Sequence, residues 1–104
     1  MGKRKTDRNI EYLIRGILTL QTPQECLSFF EDLCTISELT EMSRRLQAAK
    51  MLSDNRVYAD IAAETGLSTA TISRVNRCLK YGSDGYATVL SRLDAEDVGT
   101  ETDA

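Results

Sequence analysis

The sequence predicts an all-α protein built around a helix-turn-helix, and three observations carry that expectation. Proline occurs once, at Pro23, and the six glycines are scattered rather than gathered into turn motifs, so long stretches are free of helix breakers. No stretch shows the strict alternation and β-branched or aromatic enrichment of a strand. Residues 58–75 fit two short helices joined by a glycine turn, position by position.

Taken in order, residues 1–8 form a basic arm (Lys3, Arg4, Lys5, Arg8) expected to be flexible. Ile10, Leu13, Ile14, Ile17 and Leu18 recur at three- and four-residue spacing, the stripe of an amphipathic helix. Thr22-Pro23-Gln24-Glu25 supplies a cap, a proline at the first helical position and a glutamate three residues after the cap. The second helix should run to about Cys34 and bury Leu27, Phe30 and Leu33. Thr35-Ile36-Ser37-Glu38 repeats the capping-box pattern and starts a third helix reaching about Ser53, with Leu39, Met42, Leu46 and Ala49 along one edge. After the polar break Asp54-Asn55-Arg56, a short helix from Val57 to Thr65 and another from Thr69 to Tyr81 complete the motif over residues 57–81. A last short helix is expected from Tyr86 to Leu93, followed by an acidic, disordered tail over 94–104. Residues 9–93 thus read as one helical domain, too small to cover three amphipathic helices unaided, since a chain of this length buries only about two-thirds of its extended surface.

The net charge of −3 is unevenly distributed. Residues 22–43 hold five acids and no base, residues 44–80 hold seven bases and three acids, and the last fourteen residues hold five acids and one base. Exposed charges act within about 8 Å in physiological salt, so the basic segment, not the total, decides attraction to phosphate. Three cysteines (Cys26, Cys34, Cys78), no histidine and no Cys-x-x-Cys spacing point to free thiols in a helical core and to no metal site. With no histidine and no nucleophile beside a base, no enzyme and no cofactor is expected. No apolar run reaches the roughly 20 residues of a membrane span and no signal-peptide pattern is present, so a cytoplasmic protein is expected.

Within the motif, Ala62 is small where the helices cross, and Gly66 sits where the turn needs a left-handed backbone. Ile61, Leu67, Ile72 and Val75 are the apolar contacts, and Ser68 can cap the second helix. At about 100° per residue, Ala70, Ser73, Arg74 and Arg77 fall opposite Ile72, Val75 and Leu79, with Thr69 and Lys80 at the flank. A face that is small and hydroxylic at its N-terminal end and basic further along suits a recognition helix entering the major groove. Ser68, Thr69, Ala70, Ser73, Arg74, Arg77 and Lys80 are therefore the candidate contacts to double-stranded DNA. A solvated face carrying two arginines is the plainer reading of the charges alone, and the turn pattern in register argues against it.

Residues 66–74 (Gly-Leu-Ser-Thr-Ala-Thr-Ile-Ser-Arg), Cys78-Leu79-Lys80-Tyr81-Gly82, residues 29–35 and Ser43-Arg44-Arg45-Leu46 resemble the Trp repressor superfamily, especially its YerC/YecD-like branch, over about residues 7–90. The resemblance implies six helices in an intertwined homodimer, a transcription repressor that reads specific sequences, with recognition helices meeting successive major grooves about 34 Å apart. It also implies an effector pocket of Arg45, Thr71, Arg74, Val75 and Cys78, with Arg44 replacing Arg45 if the alignment is left ungapped. The family has a glycine where this chain has Val75, in the space that receives the indole, and a serine where it has Cys78. Valine in that space should clash, since overpacking costs about 1–3 kcal/mol, so tryptophan is not the expected effector and any small-molecule effector is unknown. The competing reading is a protein-interaction module, with the acidic stretch 22–43 facing a basic partner. At the start of the motif's first helix, where the family often has serine or threonine, Val57 cannot cap, which leaves that end loose or capped by Asn55.

Overall fold

The computed structural model describes residues 7–103, with side chains through residue 98, so Lys3, Arg4 and Lys5 of the expected arm lie outside the described residues. Six helices follow one another: α1 (Arg8–Ile17), α2 (Pro23–Leu33), α3 (Ile36–Ser53), α4 (Tyr58–Thr65), α5 (Thr69–Tyr81) and α6 (Gly85–Asp103). Among the described residues there is no strand. Contacts group them into two compact units, one ending at Leu39 and the other starting at Thr40, inside α3.

In the first unit every helix start is a side-chain cap. Asp7 Oδ1 accepts from Asn9 N at 2.6 Å, so α1 begins at Arg8 and takes that residue out of the arm. Thr22 Oγ1 accepts from Glu25 N at 3.1 Å, and Glu25 Oε1 accepts from Gln21 N at 2.9 Å, one residue before the cap. At α3 the box is reciprocal: Thr35 Oγ1 accepts from Glu38 N at 3.0 Å and Glu38 Oε1 from Thr35 N at 2.8 Å. The Thr35 backbone amide, and then its hydroxyl, lower the Glu38 pKa below the usual glutamate range. The contribution of this box to stability is therefore complete above the unfolded pKa and disappears as pH falls through the lowered, folded one. A carboxyl-detected NMR titration should place the Glu38 midpoint below the usual glutamate range; a midpoint within that range would contradict the box.

The stripe of α1 and the apolar face of α2 are not buried within one chain. Neither helix has a buried residue. Leu27 and Leu33, expected in a core, are 53% and 51% exposed, and Phe30 is half-buried. The caps specify these helices locally, but packing inside a single chain does not supply enough cover for them.

The second unit holds the core. Ala48, Met51, Ile61, Leu67 and Ile72 form one buried cluster, backed by Leu52, Tyr58 and Ala62. Ala49, Val75 and Leu90 form another, backed by Leu46, Leu79 and Tyr86, and Leu52 packs against both. Ala48 and Ala49 are fully enclosed, so at these two positions α3 lets its neighbours approach closely, while Met51, Leu46 and Leu52 fill the space around them. The last helix continues ten residues beyond the expected Leu93, through a segment expected to be disordered. Asp94 to Asp97 contains no helix breaker, and Asp94 pairs with Lys50 of α3 at 3.2 Å, an anchor that composition alone does not reveal.

Candidate nucleic-acid interface

The motif begins where α3 stops. Asn55 takes the left-handed conformation (φ 63°), Asn55 N donates to Leu52 O and Arg56 N to Met51 O, each at 3.0 Å. These bonds satisfy the last carbonyls of α3 in a Schellman closure. Asn55 is thus spent ending α3 through its backbone, and α4 has no side-chain cap at Val57. Instead Arg56 reaches across to α4, with Nη2 2.7 Å from Glu64 Oε1 and Nε 3.9 Å from Asp60. Glu64, more than Asp60, raises the Arg56 pKa.

The turn is built from Thr65, Gly66 and Ser68. Thr65, buried although polar, donates its hydroxyl to Ile61 O at 2.7 Å and accepts from Leu67 N at 3.2 Å. Gly66 adopts φ 75°, with its N–H on Ala62 O. Ser68 Oγ accepts from Thr71 N at 3.1 Å and caps α5. A Cβ at Gly66 would meet nothing within 4 Å, so substitution there is opposed by the backbone alone. Gly66→Ala should cost about 1–2 kcal/mol, the left-handed penalty of an L-residue, seen as a lower urea midpoint with unchanged m-value. A neutral result would contradict the turn. Gly82, at the other end of α5, is different: a Cβ there would collide with the Cys78 carbonyl.

Helix α5 then separates into two faces. Ile72 is fully enclosed and Val75 is 2% exposed, while Ser68, Thr69, Ala70, Ser73, Arg74, Arg77 and Lys80 are all exposed. Of the seven bases in residues 44–80, Lys50 and Arg56 are held by acids. Among the described residues Arg74, Arg77 and Lys80 make no ion pair, and their charge is open to an external anion.

Beside this face lies a cavity of about 490 Å³, lined by Glu41, Arg45, Thr71, Arg74, Val75, Cys78 and Tyr86. It brings together all five residues of the expected effector pocket; Arg45 lines it and Arg44 does not. Glu41 and Tyr86 were not foreseen. Glu41 precedes Arg45 by one helical turn, a spacing that could have revealed it, whereas Tyr86 comes from α6 and only folding brings it here. Cys78, expected among core thiols, is exposed, and Cys26 and Cys34 are half-buried. Among the described residues no group of three or more acidic, cysteine or histidine side chains is arranged to hold a metal ion, and no helix is long and apolar enough to cross a membrane.

Residues 8–94 match the family model described as Trp repressor protein. The chain is 48% identical over 86 residues to the uncharacterized protein YerC of Bacillus subtilis (strain 168), covering 83% of each chain. It is similar to the crystal structure of a TrpR-like protein from Eubacterium eligens ATCC 27750, with a TM-score of 0.82 at 52% identity, covering 85% of this chain and 91% of that one.

Proposed function

The chain belongs to the Trp repressor family, in its YerC-like branch, and on that premise we propose that it is a sequence-specific DNA-binding transcription regulator. It acts as a homodimer and as a repressor, with Ser68, Thr69, Ala70, Ser73, Arg74, Arg77 and Lys80 facing the DNA. The observation that carries this reading is the division of α5. Its inner side chains are enclosed while every candidate contact is exposed, and the three cations on that face are unpaired among the described residues. Hydroxyls and an alanine at the N-terminal end allow close approach to base edges, and the arginines suit guanine or phosphate. The uncovered faces of α1 and α2 support the dimer, because Ile10, Ile14, Leu18, Leu27 and Leu33 stay about half or more exposed in one chain. Selecting bound duplexes from random DNA with the purified protein tests the reading. A consensus with two related half-sites about one helical turn apart is expected, and no enrichment over background would refute it.

Tryptophan is not the effector in this reading. Val75 packs against Ala49 and Leu90 at the base of the cavity, so it cannot retreat to seat an indole without disturbing the core. Calorimetric titration with L-tryptophan should show no binding in the micromolar range, and saturable micromolar heat would reject the argument.

A further inference from the structure

Helix α5 ends on an aromatic side chain that the core does not use. Of the four tyrosines, Tyr58 and Tyr86 pack against the two buried clusters. Tyr12 has the Arg15 guanidinium over its ring, 5.9 Å from the centroid. Tyr81 is 82% exposed. Among the described residues its hydroxyl meets no hydrogen-bond partner, and its ring meets no aromatic or cationic one. Tyrosine more often lays its ring against apolar neighbours and leaves only the hydroxyl wet. Here both ends of the side chain stand in solvent.

Its place on the helix gives it neighbours of one sign. At about 100° per residue, Tyr81 follows Ala70, Arg74 and Arg77 by eleven, seven and four positions and so continues their stripe. All four side chains are exposed, and α5 itself contains no acid, so the stripe suits an anionic occupant. The length of the helix decides which part of a duplex Tyr81 can reach. At about 1.5 Å per residue α5 rises roughly 18 Å from Thr69 to Tyr81, whereas the major groove is only about 12 Å wide. A helix that enters by its N-terminal end therefore has its last turn outside the groove, beside the sugar–phosphate backbone. Helical side chains lean back toward the N-terminus, so the surface that Tyr81 covers adjoins the turn of Arg77.

We infer that Tyr81 is a further DNA contact, at the edge of the half-site, with its ring against a deoxyribose and its hydroxyl donating to a phosphate oxygen. This role rests on the regulator reading above and adds to it a contact of a different kind from the arginines. A phenol donates a hydrogen bond without bringing a cation, so it releases no counterion and holds the protein in register without steepening the salt dependence. It touches no base edge, so it strengthens binding to every duplex alike.

Fluorescence anisotropy of the full-length protein tests this with two variants, Tyr81→Phe, which removes only the hydroxyl, and Tyr81→Ala, which removes the ring as well. Each is titrated over a range of salt on the selected duplex and on a scrambled one. Tyr81→Phe should weaken binding to both duplexes by the same several-fold factor and Tyr81→Ala by more, with the log–log salt slope and the circular dichroism spectrum unchanged. On duplexes in which one phosphate is replaced by a neutral methylphosphonate, the loss from Tyr81→Phe should shrink at a backbone position flanking the half-site and not elsewhere. Wild-type affinity in both variants, a loss confined to the selected duplex, or no position at which the loss shrinks overturns the inference. So does a smaller dimer fraction of Tyr81→Ala in sedimentation velocity, which would mean that a second copy of the chain covers the ring. If the wild-type protein binds neither duplex, the regulator reading falls and the role of Tyr81 with it. If the wild type binds with a steep salt dependence and the variants bind equally well, only the role of Tyr81 falls.

Discussion

Replacing Ile72 with alanine should destabilise the protein by about 2–5 kcal/mol, the range for truncating an enclosed isoleucine. That is a large share of the roughly 5–15 kcal/mol by which a domain is stable at all. Ile72 is fully enclosed and shares its cluster with Ile61 and Leu67, so one side chain joins α4, the turn and α5. The cavity left behind borders Ala48 of α3, a small residue on a rigid helix that cannot fill it. Ile72→Val, which removes one methylene, should cost only about 0.5–1.5 kcal/mol. Urea denaturation at one fixed protein concentration measures both, since stability depends on concentration if the chain dimerises. A loss below that of the valine variant would mean that the motif's core is not where the structure puts it.

The second large effect concerns binding rather than folding. Arg74→Ala and Arg77→Ala together should weaken duplex binding strongly while leaving the circular dichroism spectrum unchanged, because both side chains are exposed and unpaired among the described residues. An arginine reading a base is worth about 1–3 kcal/mol and its loss relaxes specificity at that base. An arginine on a phosphate instead lowers the salt dependence, by about one unit of log–log slope for each contact removed. Fluorescence anisotropy against salt, on the selected duplex and on a scrambled one, separates the two roles. Unchanged affinity and slope would remove α5 from the interface and favour a protein-docking role for the motif.

Much of this protein is legible locally. The caps at Thr22, Thr35 and Ser68 and the left-handed Gly66 are each implied by residues within four positions, and each appears in the structure. The inward and outward faces of α5 follow from helical periodicity alone. Other features escaped for an identifiable reason. Thr65 is an ordinary polar residue in sequence, but the turn encloses its hydroxyl between Ile61 O and Leu67 N. The extension of α6 is acidic enough to read as a tail, and its ion pair to Lys50 spans 44 positions. Leu27 and Leu33 have core-like spacing, yet periodicity marks which face is apolar and not what covers it.

The helix-turn-helix and its candidate DNA face were thus determined by the sequence, because capping, turn conformation and amphipathic phase depend on neighbours one helical turn away. The cavity was decided by tertiary structure. Family resemblance pointed to Arg45, Thr71, Arg74, Val75 and Cys78, but only the packing of α3, α5 and α6 brings Tyr86 to the same hollow, which Arg45 lines and Arg44 does not. The same packing sets Val75 against Ala49 and Leu90. Which charges share a hollow, and how much room remains beside them, depends on residues up to 45 positions apart meeting in space, and local chemistry does not encode that distance.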